Sequence, residues 1–139
     1  LQLAETLKIS NHIDIVDSPT TSDLRKLISC ASYFICLSKF EGFGIAPIEA
    51  MSAGLVPILS DIPPFRKLLE KTKQGLLLSG AIEDDCKAIC KHIAEQKEES
   101  EWLQLRDNIM SSSLSFSWEA SNQKYLGIYS EALKCQASS

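Results

Sequence analysis

Two unbroken apolar runs set the frame of this chain: Tyr33-Phe34-Ile35-Cys36-Leu37 and Leu55-Val56-Pro57-Ile58-Leu59. Continuous rather than alternating polarity is the pattern of a parallel strand covered on both faces by helices. They predict strands at 33–37, the central one, and at 56–59. A third segment, His12-Ile13-Asp14-Ile15-Val16, alternates and is rich in β-branched residues, which predicts a short strand at 12–16. The remaining apolar residues recur at helical spacing. Residues 1–9, with Leu1, Ala4 and Leu7, read as the end of a helix. Leu24, Leu27, Ile28 and Ala31 mark the inner face of a helix over about 22–31, and Phe65, Leu68 and Leu69 that of a helix over about 64–72. The stripe Ile82, Cys86, Ile89, Cys90 and Ile93 predicts a helix at 82–96, followed by helices at 98–112 and 118–135, the last carrying Tyr125, Ile128 and Tyr129.

Local signals punctuate these elements. Asp17-Ser18-Pro19-Thr20 is a turn, and Thr20 with Asp23 three residues on reads as a capping box, with Thr21 and Ser22 as alternative caps. Gly54 is a helix stop. The charged run from Glu95 to Glu101 reads as a solvated turn.

Between the two apolar runs stands Ser38-Lys39-Phe40-Glu41-Gly42-Phe43-Gly44-Ile45-Ala46-Pro47-Ile48-Glu49-Ala50-Met51-Ser52-Ala53-Gly54. The order is strand, glycine-rich turn, short helix (about Ile45 to Ala53), strand. That is a βαβ unit whose loop lies at the carboxyl edge of a parallel sheet, where open α/β folds place ligands. Pro47 fits a first helical turn, whose N–H groups have no intrahelical partner. Ile45, Ile48, Met51 and Ser52 are expected against the sheet, with Ala46, Ala50 and Ala53 keeping the other sides slim. Gly42 and Gly44 leave room for close approach to backbone amides, and Glu41 and Glu49 bracket the turn. Each residue also has a plain explanation. Glu49 gains ~0.3–1 kcal/mol from the helix dipole, Glu41 could be a solvated loop acid, and the glycines could be ordinary turn residues. Their joint occurrence in one strand-turn-helix context favours a ligand site.

This string resembles the Glu-x7-Glu signature of retaining glycosyltransferases with the GT-B fold, and is most similar to glycosyltransferase family 4. The resemblance extends to Ser60-Asp61-Ile62-Pro63, to a last strand led by Gly75 within 74–78, and to Phe116-Ser117-Trp118 opening a final helix that in the family crosses back to the other domain. It implies an α/β, Rossmann-like three-layer domain with a parallel sheet, the C-terminal donor-binding half of a GT-B enzyme truncated at its N-terminus. It also implies roles: Glu41 in catalysis, with Ser38, Gly42, Phe43 and Gly44 at the donor sugar, the Ile45 and Ala46 amides at phosphate, and Glu49 at the ribose. The family's phosphate-gripping Arg and Lys would precede residue 1, and Asp17 stands where the family has a glycine near its base-binding segment, Val16 to Ser18. The reaction implied is transfer of a sugar from a nucleotide diphosphate sugar to a saccharide or lipid-linked acceptor, with no metal and no other cofactor.

Composition narrows the alternatives. The 139 residues carry 14 Lys and Arg against 18 Asp and Glu, net charge −4, so no broad basic surface for nucleic acid is implied. Any phosphate recognition must be local; Lys39, Arg66 and Lys67 are candidates by charge, with surface solubility the plainer reading of the last two. No apolar stretch reaches the ~18–20 residues of a membrane span, and no signal peptide is seen. Five cysteines, an odd number without a disulfide-like framework, suit a reducing, cytoplasmic compartment. Cys86 and Cys90 lie near His92 but lack further ligands at zinc spacing, so burial is their expected role. There is no Gly-x-Ser-x-Gly elbow and no Gly-x-Gly-x-x-Gly after a strand, and His12 and His92 lie outside the motif. Glu41 and Glu49 as a glycosidase pair would need opposed carboxylates across a cleft. The chain therefore reads as residues 1–139 of one donor-binding domain, inactive alone, within a hexosyltransferase whose peripheral membrane association stays open. The alternative is a non-catalytic sugar-nucleotide-binding or protein-interaction module of the same fold.

Overall fold

A computed structural model of the chain describes residues 2–95 and 98–137. The chain divides into two compact units, Leu1–Cys30 and Ala31–Ser139.

The first unit holds helix α1 (Gln2–Thr6), a single 3-10 turn at Ser10–His12 and helix α2 (Thr21–Cys30). The capping box forms as its sequence requires. Asp23 N–H donates to Thr20 Oγ1 at 3.2 Å, while Thr20 N–H and Oγ1 donate to Asp23 Oδ2 at 3.3 and 2.6 Å. The strand expected at 12–16 does not form. Ile13 is extended, but residues 13–16 join no ladder. Alternation selects an extended backbone; a strand also needs a neighbour for its N–H and C=O groups. Leu24 and Leu27, expected inward, are 46% and 45% exposed, because periodicity marks an apolar face without supplying its cover.

The second unit is built on three parallel strands, β1 (Tyr33–Cys36), β2 (Val56–Ser60) and β3 (Leu76–Leu78), in the spatial order β1-β2-β3. Tyr33 pairs with Val56 and Cys36 with Leu59, and Ile58 to Ser60 pair with Leu76 to Leu78. The central strand is thus β2 rather than β1. Each crossover places the next strand beside the last, so the first strand of the series keeps a free edge. Residues 55–59 are wholly buried, whereas Ile35 and Leu37 are 53% and 62% exposed.

Helices α3 (Ile45–Ser52) and α4 (Pro63–Thr72) make the two crossovers. Met51 of α3, Phe65, Leu68 and Leu69 of α4, Val56 and Leu59 of β2 and Ile109 of α6 (Glu99–Ser113) form one buried cluster. The inward face of α4 is the one its spacing predicts. On α3 it is rotated: Pro47, Ala50 and Met51 are buried, whereas Ile45 is 63% exposed and Ser52 lies at the surface. Arg106 of α6 donates to the Ala53 carbonyl at 3.2 Å, so α6 packs closely over α3 and needs small residues there. Helices α5 (Ile82–Ala94) and α7 (Trp118–Ala137) complete the unit. Of the α5 stripe, Ile82, Cys86 and Cys90 are exposed, so the cysteines are surface thiols, not buried ones. The charged turn expected from Glu95 to Glu101 lies partly outside the described residues.

Two local devices fix the loops at the carboxyl edge. Asp85 accepts from Ser79 N–H (2.8 Å), Ser79 Oγ (3.0 Å) and Gly80 N–H (2.8 Å), holding the turn after β3. Desolvation, the largest single influence, would raise its carboxyl, but these donors together hold it below the ordinary range. Asp61, after β2, accepts from both Nε and Nη2 of Arg66, and these hydrogen bonds lower its carboxyl in turn. Arg66 is thereby engaged with protein rather than free for phosphate.

Gly44 adopts φ +80°, and a Cβ there would lie 2.8 Å from Cε1 of the fully buried Phe65. Gly44→Ala should therefore cost about 2 kcal/mol or more in a urea melt, from left-handed strain and overlap together. Acid should act through Asp61 and Asp85. A depressed carboxyl contributes stability above its ordinary value of 3.8 and loses it as pH falls through the lower folded value. Urea midpoints recorded between roughly pH 5 and pH 2 should fall, and Asp61→Asn with Asp85→Asn should flatten that slope.

Candidate functional site

The turn after β1 is pinned from both ends. Ser38, two residues beyond the strand, donates its hydroxyl to Glu41 Oε1 at 2.8 Å, and its own carbonyl accepts from Ser60 Oγ at 2.5 Å. Ser60 ends β2, in register one place beyond the Cys36–Leu59 pair. The two strand ends are therefore clamped together by a hydrogen bond 22 residues apart in sequence. The Cys36 thiol also meets Ser38 Oγ at 3.4 Å. Glu41 is half-buried and fixed in direction; Phe40 and Phe43 on either side are 89% and 60% exposed.

The turn ends where Gly44 delivers the chain into α3. No side chain caps this helix, and the Ile45 and Ala46 N–H groups meet no acceptor among the described residues. Pro47 has no N–H to offer. The result is a pair of free amides at the positive end of a helix dipole, at the carboxyl edge of the sheet. Glu49 lies one turn further along, on the exposed side of α3. Gly42 differs from Gly44: a Cβ there would meet nothing within 4 Å. No intramolecular contact demands a glycine at 42.

Two cavities flank the turn. One, of about 540 Å³, is lined by Leu37, Ser38, Lys39 and Ser60 to Ile62 on one side and by Ser79, Gly80, Asp85 and Cys86 on the other. The second, of about 390 Å³, lies between Gly42 and Phe43 and the side of α4 that carries Lys67, Leu68 and Lys71. The expected site residues are thus divided: Ser38 faces the first cavity, Gly42 and Phe43 the second, and Glu41, Ile45, Ala46 and Glu49 line neither.

Three further residues shape this site, and the sequence shows the place of each only in part. Ser60 belongs to the loop that the sequence sets at this edge, and parallel register places the residue ending β2 beside the residue leaving β1. Phe65, beneath Gly44, was foreseen as core but not as the surface that shapes the turn. Phe116, whose ring meets Phe43 edge-on at 6.2 Å between centroids, is 73 positions away; Phe116-Ser117-Trp118 marks a helix start, and nothing local places it at the turn. Among the described residues no three His, Cys, Asp or Glu side chains converge as metal ligands, and no helix is long and apolar enough to cross a membrane.

Comparisons with known proteins bear on the family and the fold. The chain is 36% identical over 129 residues to a protein of Xanthomonas oryzae pv. oryzae named GDP-mannose:cellobiosyl-diphosphopolyprenol alpha-mannosyltransferase, covering 90% of this chain and 33% of the relative. A protein of the same name from Komagataeibacter xylinus is 36% identical over 137 residues, 94% of this chain and 33% of its own. The chain thus spans about a third of the length of these relatives. In structure it resembles sucrose-phosphate synthase from Thermosynechococcus elongatus, with a TM-score of 0.68 and 23% identity over 96% of this chain and 33% of that one, which shows the fold. The sequence profile described as glycosyl transferases group 1 matches residues 1–109. The chain belongs to the group 1 glycosyl transferases.

Proposed function

We propose that this chain is the donor-binding half of a retaining, cytoplasmic hexosyltransferase, which moves a sugar from a nucleoside diphosphate sugar to a saccharide or lipid-linked acceptor. The observation that carries this reading is the turn itself: one half-buried acid held by Ser38, two unmatched amides at an uncapped helix start, and a second acid one turn on.

Each group has a distinct task. Glu41 is a preset acceptor for the donor sugar's hydroxyls, and the exposed Gly42 and Phe43 let the sugar lie against the turn. The bond from the anomeric carbon to the diphosphate oxygen breaks with its electron pair leaving on the diphosphate, while the acceptor's hydroxyl oxygen bonds to that carbon and its proton passes to the departing diphosphate. Negative charge then accumulates beside the Ile45 and Ala46 amides, whose dipoles are already oriented to meet it. Glu49 accepts from the ribose hydroxyls. The amides and carboxylates supply the polar contacts of this scheme without a metal. The remainder of the enzyme would supply further acceptor contacts, so this chain alone should not turn over. Because two relatives are named mannosyltransferases, GDP-mannose is the first donor to screen. Five cysteines, an odd number, support a reducing compartment.

Calorimetric titration of the complete enzyme with nucleoside diphosphate and with intact donor tests the division of roles. Glu49→Ala should weaken both roughly ten-fold or more, since hydrogen bonds to a charged group contribute ~1.5–3 kcal/mol. Glu41→Ala should spare the free nucleotide and weaken donor binding and turnover. Equal damage to free nucleotide by both variants would refute the assignment, and no effect of either would favour a non-catalytic module.

Gly42→Ala gives a second test. With nothing near the added methyl, stability should stay within about 0.5 kcal/mol of the parent, while donor affinity falls because the methyl occupies the sugar's approach. A large loss of stability, or unchanged affinity, would sink this role for Gly42. Third, EDTA should leave the complete enzyme active. Loss of activity restored by manganese or magnesium would count against the metal-free scheme.

A further inference from the structure

The second cavity beside the turn has a lining of which the donor-site reading uses only Gly42 and Phe43. Its floor is apolar, formed by Ile48, Leu68 and Phe116, and its rim carries two lysines, Lys67 and Lys71, one turn apart on α4. No carboxylate lines it, although the chain as a whole is acidic. The ion pairs among the described residues are Asp61–Arg66, Asp84–Lys87 and Lys91–Glu95, and neither lysine belongs to one. Lys71 is steered inward: its Nζ lies 4.0 Å over the Phe116 ring and donates to the Ser115 carbonyl at 3.4 Å. Like charges four residues apart on a helix repel, and an anion between them would remove that repulsion.

An apolar trough with a cationic rim fits an amphiphilic anion. Gly42 and Phe43 form its other wall, so it adjoins the part of the turn assigned to the donor sugar. The donor's own diphosphate is already matched to Ile45 and Ala46, which do not line this cavity. We propose that the groove between the Gly42–Phe43 wall and α4 is an acceptor subsite, in which Lys67 and Lys71 hold the phosphate or diphosphate of a lipid-linked acceptor and Phe43 and Phe116 cover the adjoining apolar chain. This rests on the donor-site reading above and adds to it a location for the acceptor's charge.

The test uses the complete enzyme saturated with nucleoside diphosphate and titrated calorimetrically with geranyl diphosphate, with inorganic pyrophosphate in a parallel arm. Geranyl diphosphate should bind alongside the nucleotide and more tightly than pyrophosphate, and Lys67→Ala should weaken it roughly ten-fold without changing nucleotide affinity. Lys67 is exposed and makes no packing contact in the core cluster, so the variant should fold; a matching thermal melt verifies this. Displacement of the nucleotide by the probe, equal affinity for the two probes, or unchanged affinity in Lys67→Ala would each overturn the subsite. Lys67-dependent binding of geranyl diphosphate by a protein that binds no nucleoside diphosphate would uphold the groove and refute the donor site.

Discussion

Everything at the carboxyl edge depends on how the chain passes from β1 into α3 over the ring of Phe65. The crossover has only eight residues between the strand's end and the helix's start. It succeeds because Gly44 takes a left-handed conformation directly on a fully buried aromatic ring, and a side chain there would strike that ring. With the backbone turned this way, the first amides of α3 have no cap among the described residues. The same turn holds Glu41 within reach of Ser38. The core beneath α3 and the open amides above it are two sides of one constraint.

The clamp between strand ends extends that constraint. Ser60 joins the loop after β2 to the loop after β1, and Asp61 and Arg66 then brace the entry to α4. Asp85 does the same for the loop after β3. Each of the three strands therefore ends in a loop fixed by side chain hydrogen bonds, which gives a surface already arranged before a ligand arrives. Such an arrangement keeps the ordering cost of binding low.

Much of this was legible in the residues. The apolar runs gave the β1 and β2 strands within one residue, the Thr20–Asp23 box closed as written, and the inner face of α4 is the one its spacing shows. What failed has a common physical origin. Periodicity states which face is apolar and not what covers it, so Leu24, Leu27, Cys86 and Cys90 were expected inward and lie at the surface. Alternation at 13–16 states that the backbone is extended and not that it has a neighbour. The rotated face of α3 follows from the close packing of α6, a contact made more than fifty residues away in sequence. The site itself divided along the same line: Glu41, Gly44 and Glu49 are local signals, whereas Ser60 and Phe116 reach the turn only through the fold.

The central claim is that the unmatched amides at the start of α3 meet the donor's diphosphate. The most direct measurement is amide NMR of the complete enzyme labelled with nitrogen-15 at isoleucine and alanine, titrated with nucleoside diphosphate. The account predicts that the Ile45 and Ala46 resonances move furthest, and that inorganic sulfate at equal ionic strength does not reproduce the shift. Saturable nucleotide binding that leaves Ile45 and Ala46 unmoved while shifting Ile82 or Ile89 of α5 would contradict it.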